Sequence, residues 1–413
     1  MKLGIDAVGI ERIALAVRRS GAGFLRKAYT QAELDYCAGS SERLAGRWAA
    51  KEAVIKCFDG TGICFPRRRI EILPSPGGAP TVTLLGDTSG AAVALSITHH
   101  SGLAVAAATL TLPAHDVGEG LLLGPPEALD LPDRPKDGHK GTFGTVVVLA
   151  GSRGFTGAAY LAATAAARSG AGIVKLLVAE SIYPILAAQC VEVMATPVPE
   201  VAPGAVGHLG HDAVARHFQG ARAALVGPGL GRDSSTWRLV NDLVLGVACP
   251  LVVDADGLNA LADSRRTLGR LPKGRVLTPH PGEMARLTGA PVPTDRAGRR
   301  ELAAAKAREW KAVVVLKGAR TVVAAPDGEV SEDPHEVPAL ATGGTGDVLG
   351  GLIAGLIAQG LDPFTAAVSG VYIHGEAGRR VASRLGDAGL LASDLLIEIP
   401  VIQKLLREGR VER

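Results

Sequence analysis

Apolar residues in the rear two-thirds of the chain fall into short unbroken runs, each followed by a glycine turn and a helically spaced segment. Runs at 145–150, 173–179, 223–226 and 251–253 precede expected helices at 158–168, 182–188, 234–245 and from Leu258 onward. A strand that is apolar throughout has no side to turn to water, so this alternation predicts a mostly parallel sheet covered on both faces. Ligands of such sheets sit beyond the carboxyl ends of the strands. The front of the chain lacks the alternation and predicts an α+β unit instead. Its expected elements are a strand at 3–5, a helix from about Glu33, a helix at 46–58, and strands at 69–73, 81–84, 92–97 and 104–110. Between the two regions, Pro113, Pro125, Pro126, Pro132 and Pro135 interrupt any helix or ladder. The expected organisation is a first domain over 1–112, a linker over 113–136 and a second domain over 137–413.

With 413 residues the chain exceeds one ordinary core, in keeping with two domains. Aromatic residues make up only 4% while glycines number 53, which suits closely packed helices on sheets and argues against a base-stacking, nucleic-acid-binding surface. The five cysteines form no CxxC pair and are odd in number, so neither a zinc knuckle nor a disulfide framework is expected, and reducing cytoplasm is the expected compartment. Asp6 and Glu11 interrupt the first apolar segment, unlike a secretory core. The longest apolar stretch, 348–358, falls short of the roughly 20 residues a membrane span needs. The net charge of +3 is unevenly spread. Residues 1–112 hold 13 Lys and Arg against 9 Asp and Glu (+4), the remainder 31 against 32 (−1). The basic front suits an acidic or phosphate-bearing partner, or simply a solvated surface.

The densest chemistry lies at Thr342-Gly343-Gly344-Thr345-Gly346-Asp347, which runs into the apolar helical segment 348–355. Free amides at a helix start stabilise phosphate oxygens, and glycines let the backbone approach them. Asp347 is the expected acid/base beside that phosphate; a lone aspartate before a helix would more often be an N-cap. Further polar clusters each follow an apolar strand: Gly227-Pro228-Gly229-Leu230-Gly231, Asp254-Ala255-Asp256, Thr278-Pro279-His280-Pro281-Gly282-Glu283 and Lys317-Gly318-Ala319-Arg320-Thr321. Clusters at successive strand ends predict a single cleft rim.

Lys140-Gly141-Thr142-Phe143-Gly144, the 151–158 loop, the Gly227–Gly231 and Thr278–Glu283 motifs and the Gly343–Asp347 loop resemble, in this order, the ADP-dependent (S)-NAD(P)H-hydrate dehydratase family over roughly 131–408. The resemblance implies a ribokinase-like αβα domain with a mostly parallel central sheet. It implies dehydration of hydrated NADH or NADPH while ADP becomes AMP and phosphate. It carries substrate contacts to Ala158, Gly229, His280 and Asp347, and nucleotide contacts to Lys317, Gly318, Ala319, Arg320, Thr321, Gly343, Gly344, Thr345 and Gly346. Glu283 would help position Mg²⁺. The competing reading is a small-molecule kinase on the same fold.

In the front region, Gly4-Ile5-Asp6 ends a strand with a carboxylate, and Trp48, Glu52 and Lys56 share a helix face. Asp6 and Glu52 offer hard oxygens of the kind Mg²⁺ takes alongside substrate phosphates; Glu52 and Lys56 also have the order of a solvated ion pair. Gly4-Ile5-Asp6, Glu11-Arg12-Ile13, the 47–56 segment, Gly60-Thr61-Gly62-Ile63 and Ser96-Ile97-Thr98-His99 resemble the holo-(acyl-carrier-protein) synthase family over 1 to about 110. The resemblance implies a phosphopantetheinyl transferase that uses coenzyme A (CoA), with Mg²⁺ on Asp6 and Glu52, Lys51 and Lys56 stabilising phosphate charge, and a homo-oligomer. The implied partner is an acidic acyl carrier protein, with Arg12, Arg18, Arg19, Arg26 and Lys27 as docking face. A non-catalytic oligomerising or binding module is the alternative. The chain departs from the family at Gly9, where an acidic residue is usual, and at Ala79, where a lysine is usual.

Overall fold

The computed structural model describes residues 2–57, 67–85, 92–111 and 125–409. The Gly60-Thr61-Gly62-Ile63 motif and the expected linker's residues 113–124 lie outside them. The chain divides into two compact units, 1–119 and 120–413.

The first unit runs β1 (Lys2–Gly9), α1 (Ile10–Ala28), α2 (Gln31–Cys37), α3 (Ser41–Cys57), β2 (Ile70–Pro74), β3 (Pro80–Leu84), β4 (Ala92–His100), β5 (Leu103–Thr111). An antiparallel sheet of order β1-β5-β4 stands beside a β2-β3 hairpin. Gly4, Val8, Ala104, Ala106, Ala108 and Leu110 are buried, whereas Leu3, Ile5 and Leu103 on the opposite face are 63%, 54% and 48% exposed. Helix α3 lies on the buried face, so close that a Cβ on Gly4 would stand 2.0 Å from the Ala53 carbonyl oxygen. The glycine of Gly4-Ile5-Asp6 is therefore a packing requirement. Helix α1 is absent from the expectations above although its apolar positions keep a helical period; its backbone breaks at Gly21 (φ 50°, ψ −135°).

The second unit runs β6 (Thr145–Leu149), α4 (Thr156–Arg168), β7 (Ile173–Ala179), α5 (Tyr183–Gln189), β8 (Met194–Val198), β9 (Glu200–Ala202), β10 (Ala205–Val206), α6 (His211–Ala215), β11 (Ala223–Val226), α7 (Ser234–Gly246), β12 (Leu251–Val253), α8 (Asp256–Asp263) and α9 (Arg265–Leu268). It continues with β13 (Arg275–Leu277), α10 (Pro281–Thr288), α11 (Arg296–Trp310), β14 (Val313–Leu316), β15 (Val322–Ala324), β16 (Val330–Glu332), α12 (Thr345–Ala358), α13 (Pro363–Leu385) and α14 (Ala392–Arg407). Among the described residues its sheet has nine strands in the order β16-β15-β14-β13-β12-β11-β6-β7-β8. It is parallel from β14 to β8 and antiparallel across β14-β15-β16. Every residue of β11, β12, β13 and β14 is buried, the mark of a sheet covered on both faces. From β6 the chain steps outward to β7 and β8, then returns to β11 on the other side. That reversal opens a crevice between the ends of β6 and β11.

The latter part of the expected linker is fastened to this unit. The Asp130 amide donates to Ser369 Oγ (3.0 Å), and Arg134 donates to the Gly170 carbonyl and Gln359 (both 2.9 Å). No helix among the described residues is long and apolar enough to cross a membrane.

Candidate active site

The loops after β6 and β11 interlock at the crevice. The Gly151 amide donates to the Pro228 carbonyl (2.8 Å), and Ser152 Oγ to the Gly229 carbonyl (2.7 Å). Ala158, at the start of α4, lies against Gly229, where an added Cβ would stand 3.0 Å from the Ala158 Cβ. Gly227 has φ 132° and no room, since a Cβ would fall 1.8 Å from the Asp254 carbonyl oxygen. The next strand end, at Asp254, is thus drawn against the glycine turn.

Around Asp254 the remaining loops converge. Its Oδ1 takes hydrogen bonds from Thr278 Oγ1 (2.6 Å) and Lys317 Nζ (2.7 Å), and Lys317 Nζ also lies 3.7 Å from Glu283 Oε2. A Cβ on Gly346 would be 3.4 Å from Lys317 Nζ, so the lysine stands over the first turn of α12. Gly344 is the N-cap of that helix, with φ 93°, and Asp347 is its third residue. The aspartate therefore does not cap the helix, and it has no hydrogen bond or ion pair to any described residue. Thr345 turns its hydroxyl to the Leu340 and Thr342 carbonyls (both 2.9 Å). His374 Nε2 donates to the Thr345 carbonyl (2.9 Å) from below.

One lysine serves three carboxylates. Burial, then the charge of Asp254, raises Asp347 to about 7 against the opposing pull of Lys317. Burial likewise raises Glu283 to about 7. For Lys317 burial acts downward, but Asp254 and Glu283 outweigh it and hold the ammonium charged. Burial and the positive charges of Lys317 and Arg286 lower His280, whose Nδ1 accepts from the Gly282 and Glu283 amides (3.0 and 3.3 Å). Glu283 completes that cap by accepting from the His280 amide (2.8 Å), so its Oε2 faces both the helix start and Lys317. Of the 317–321 loop, Lys317 points into the site. Arg320 is turned outward into an ion pair with Glu336, and the Thr321 hydroxyl closes onto the Gly318 carbonyl (2.9 Å).

In the first unit, alternation along β1 turns Asp6 to the same face as Gly4 and Val8, toward α3. There Lys56 Nζ meets Asp6 Oδ1 and the Ile5 carbonyl, both at 2.9 Å. Glu52, one turn earlier on α3, pairs with Arg67 rather than with Lys56. Arg67 in turn lies over the Trp48 ring. Lys51 departs from its expected role of stabilising phosphate charge. It is fully buried, bound to Glu33 Oε2 (2.6 Å) and to the Arg67 carbonyl (2.8 Å), and holds α2 to α3. Among the described residues no group of three or more His, Cys, Asp or Glu is placed to hold a metal.

Residues 146–401 match the family model of NAD(P)H-hydrate dehydratase, and residues 2–108 that of the 4′-phosphopantetheinyl transferase superfamily. The chain belongs to the NAD(P)H-hydrate dehydratase family. It is 38% identical over 274 residues to the ADP-dependent (S)-NAD(P)H-hydrate dehydratase of Xanthomonas campestris, covering 66% of this chain and 92% of that one. It is 47% identical over 278 residues to a bifunctional NAD(P)H-hydrate repair enzyme of Moorella thermoacetica, covering 67% of this chain and 52% of that one. The chain thus spans about half the length of such bifunctional relatives. The ADP/ATP-dependent NAD(P)H-hydrate dehydratase of Bacillus subtilis, co-crystallised with ATP and Mg²⁺, superposes with a TM-score of 0.56 at 35% identity. That match covers 66% of this chain and 94% of that one. The ribokinase-like fold of the second unit and the α+β form of the first stand as expected.

Within this dehydratase-family site, the motif reading passed over two residues. Asp254 was legible only as one of several acids after strands, yet it anchors Lys317 and sets the charge around Asp347. His374 lies mid-helix on α13, where nothing in the local pattern distinguishes it from core. Burial lowers it to about 4, so it is the neutral ring that holds the Thr345 carbonyl.

Proposed function

We propose that the second unit dehydrates (S)-NADH hydrate and (S)-NADPH hydrate to NADH and NADPH, converting ADP to AMP and phosphate. Asp347 carries this reading, as a half-buried carboxyl titrating near 7 in the first turn of a glycine-capped helix. A base working at neutral pH needs a pKa near that pH. Asp347 takes the proton from the substrate hydroxyl as its oxygen attacks the β-phosphorus of ADP, and AMP leaves. The phosphate ester then breaks its C–O bond, the neighbouring carbon loses a proton, and phosphate departs with the bond electrons. Hydroxide is a poor leaving group and phosphate a good one, which is why the phosphoryl group is spent. The amides around Gly343–Gly346 and the Lys317 ammonium offset the charge developing on the transferred group. Ala158, Gly229 and His280 hold the nicotinamide side, and the 317–321 loop the adenine nucleotide. Incubation with enzymatically hydrated NADH and ADP is expected to restore the near-ultraviolet absorbance of the dihydronicotinamide. Phosphorylation of a small molecule by ATP without that recovery would establish the kinase instead.

For the first unit we infer Mg²⁺-dependent transfer of 4′-phosphopantetheine from CoA to a serine of an acidic acyl carrier protein. Asp6 and Glu52 provide two hard carboxylates, which suits an ion completing its shell with water and substrate phosphates. Bound there, Mg²⁺ would neutralise phosphate charge. Lys56, beside Asp6, does the same from the protein side. Arg12, Arg18, Arg19, Arg26 and Lys27 are all exposed on α1, as a docking face for an acidic protein requires. The uncovered apolar face bearing Leu3, Ile5 and Leu103 supports a homo-oligomer. The expected result is transfer of labelled phosphopantetheine that is lost in Asp6→Ala and Glu52→Ala; activity indifferent to both removes the metal assignment.

A further inference from the structure

Beside the proposed catalytic cleft, a cavity of about 600 Å³ opens among α7, α8 and α10. Its lining includes Arg232, Arg265 and Arg286 against one carboxylate, Asp263, with Trp237 in the wall. Arg232 has no hydrogen bond or ion pair to any described residue. Arg265 has one bond, to the Arg286 carbonyl (3.2 Å), and Arg286 Nε has one to Asn259 Oδ1 (3.0 Å). Among the described residues neither Arg232 nor Arg265 is paired with a carboxylate, and Arg286 meets Glu283 only through its charge. Such a set of planar donors suits phosphate oxygens.

The cavity wall is continuous with the cleft. Asn259 Nδ2 donates to Asp256 Oδ1 (3.1 Å), and Asp256 Oδ2 accepts from the Gly231 amide (2.9 Å). The Trp237 indole donates to the Gly231 carbonyl (3.2 Å), which holds its ring at the cavity edge. Gly231 ends the turn that contains Gly229, and Arg286 lies one turn along α10 from Gly282. A hydrated dinucleotide with its nicotinamide end at Gly229 and His280 must send its other half somewhere, and this is the charged opening alongside.

We propose that this cavity holds the adenosine phosphate half of the hydrated dinucleotide, with Arg232 and Arg265 on its phosphates and the Trp237 ring against the adenine. The inference rests on the dehydratase reading for the identity of the substrate. It gives Arg232 and Arg265 one task, gripping the part of the substrate that does not react. Grip at a distance raises affinity without entering the chemical step.

Two measurements on the full chain test it. With ADP saturating, adenosine 2′,5′-bisphosphate is expected to quench the Trp237 fluorescence, a signal lost in Trp237→Phe. Binding should weaken roughly 10²- to 10⁴-fold in the Arg232→Ala, Arg265→Ala double variant, as loss of two charge-assisted bonds implies. It should tighten in Asp263→Asn, which removes the one carboxylate of the lining. In turnover, the same double variant is expected to raise KM for NADPH hydrate and to leave kcat and the KM for ADP unchanged. Hydrated reduced nicotinamide mononucleotide, which lacks the adenosine half, should not distinguish it from wild type. Equal bisphosphate affinity in wild type and double variant, or an unchanged KM for NADPH hydrate, overturns the proposal. A chain that binds the bisphosphate as expected yet dehydrates nothing would overturn the catalytic reading and keep the cavity's ligand class.

Discussion

In the first unit each candidate metal-binding carboxylate has a cation of its own, Asp6 with Lys56 and Glu52 with Arg67. In the second, Asp254, Glu283 and Asp347 share the single ammonium of Lys317. On the functions proposed above, the difference separates two kinds of phosphate chemistry. A carboxylate meant for a cation can rest on a lysine or arginine and exchange it when metal and polyphosphate arrive together. A carboxylate meant to move a proton near neutrality must be left short of positive charge, so that burial and its neighbours raise its pKa. The second unit achieves this by giving the lysine first to Asp254.

Removing the underpaired acid should break the comparison most visibly. Asp347→Asn is expected to lower kcat for dehydration roughly 10²- to 10⁴-fold, the usual worth of a positioned base, with ADP binding retained in calorimetry. Next in size, Lys51→Met strips the first unit's fully buried pair and leaves Glu33 buried without its counter-charge, at a cost of about 3–5 kcal/mol in denaturant unfolding. Phosphopantetheine transfer by whatever remains folded should persist, because Lys51 supports the core and not the substrate. Dehydration that depends on ionised Asp347 should fall as pH drops through about 7. In Asp254→Asn a charge that raises Asp347 is gone and Lys317 is freed toward it, so the acid limb of kcat/KM should move about one unit lower. An unmoved limb would mean that another group sets it.

The smallest effect is on stability. A carboxyl whose folded pKa is raised stabilises the protein below its unfolded value and loses that contribution as pH rises through about 7. Asp347→Asn should therefore melt above wild type at about pH 8 and level with it near pH 4. Each kcal/mol recovered is worth roughly 2–4 °C, and the half-exposed position keeps the gain small.

Much of this was legible from residue order. The strands of the second unit were readable because unbroken valine and leucine runs end abruptly at glycine, as at Val226-Gly227 and Leu149-Ala150-Gly151. Strand ends in a parallel sheet share one rim, so Gly229, His280 and Lys317 could be brought to one cleft without coordinates. Pairing among the charges was not readable. Whether Lys317 serves Asp254 or Asp347, and whether Lys51 faces substrate or core, depends on side chains 63 and 18 positions apart, respectively, meeting in the fold. Helix α1 escaped for a local reason, since Gly21 and Gly23, poor helix formers, punctuate a segment whose apolar period is helical.

The seam between α12 and α4 has a bearing on how this site can vary. An added Cβ at Gly351 would fall 2.0 Å from the Ala162 carbonyl oxygen, and one at Gly355 1.9 Å from Ser169 Oγ. The helix that carries Asp347 is thus seated tightly on α4, and its distance from Lys317 is set about one and two turns along from the aspartate. A single methyl at Gly351 would act as a shim beneath the aspartate. Displacement of about 1 Å in a reacting group can cost roughly a hundredfold in rate. Residues that never meet a ligand therefore act as the gauge of the active site, and its tolerance for change is decided in its foundations.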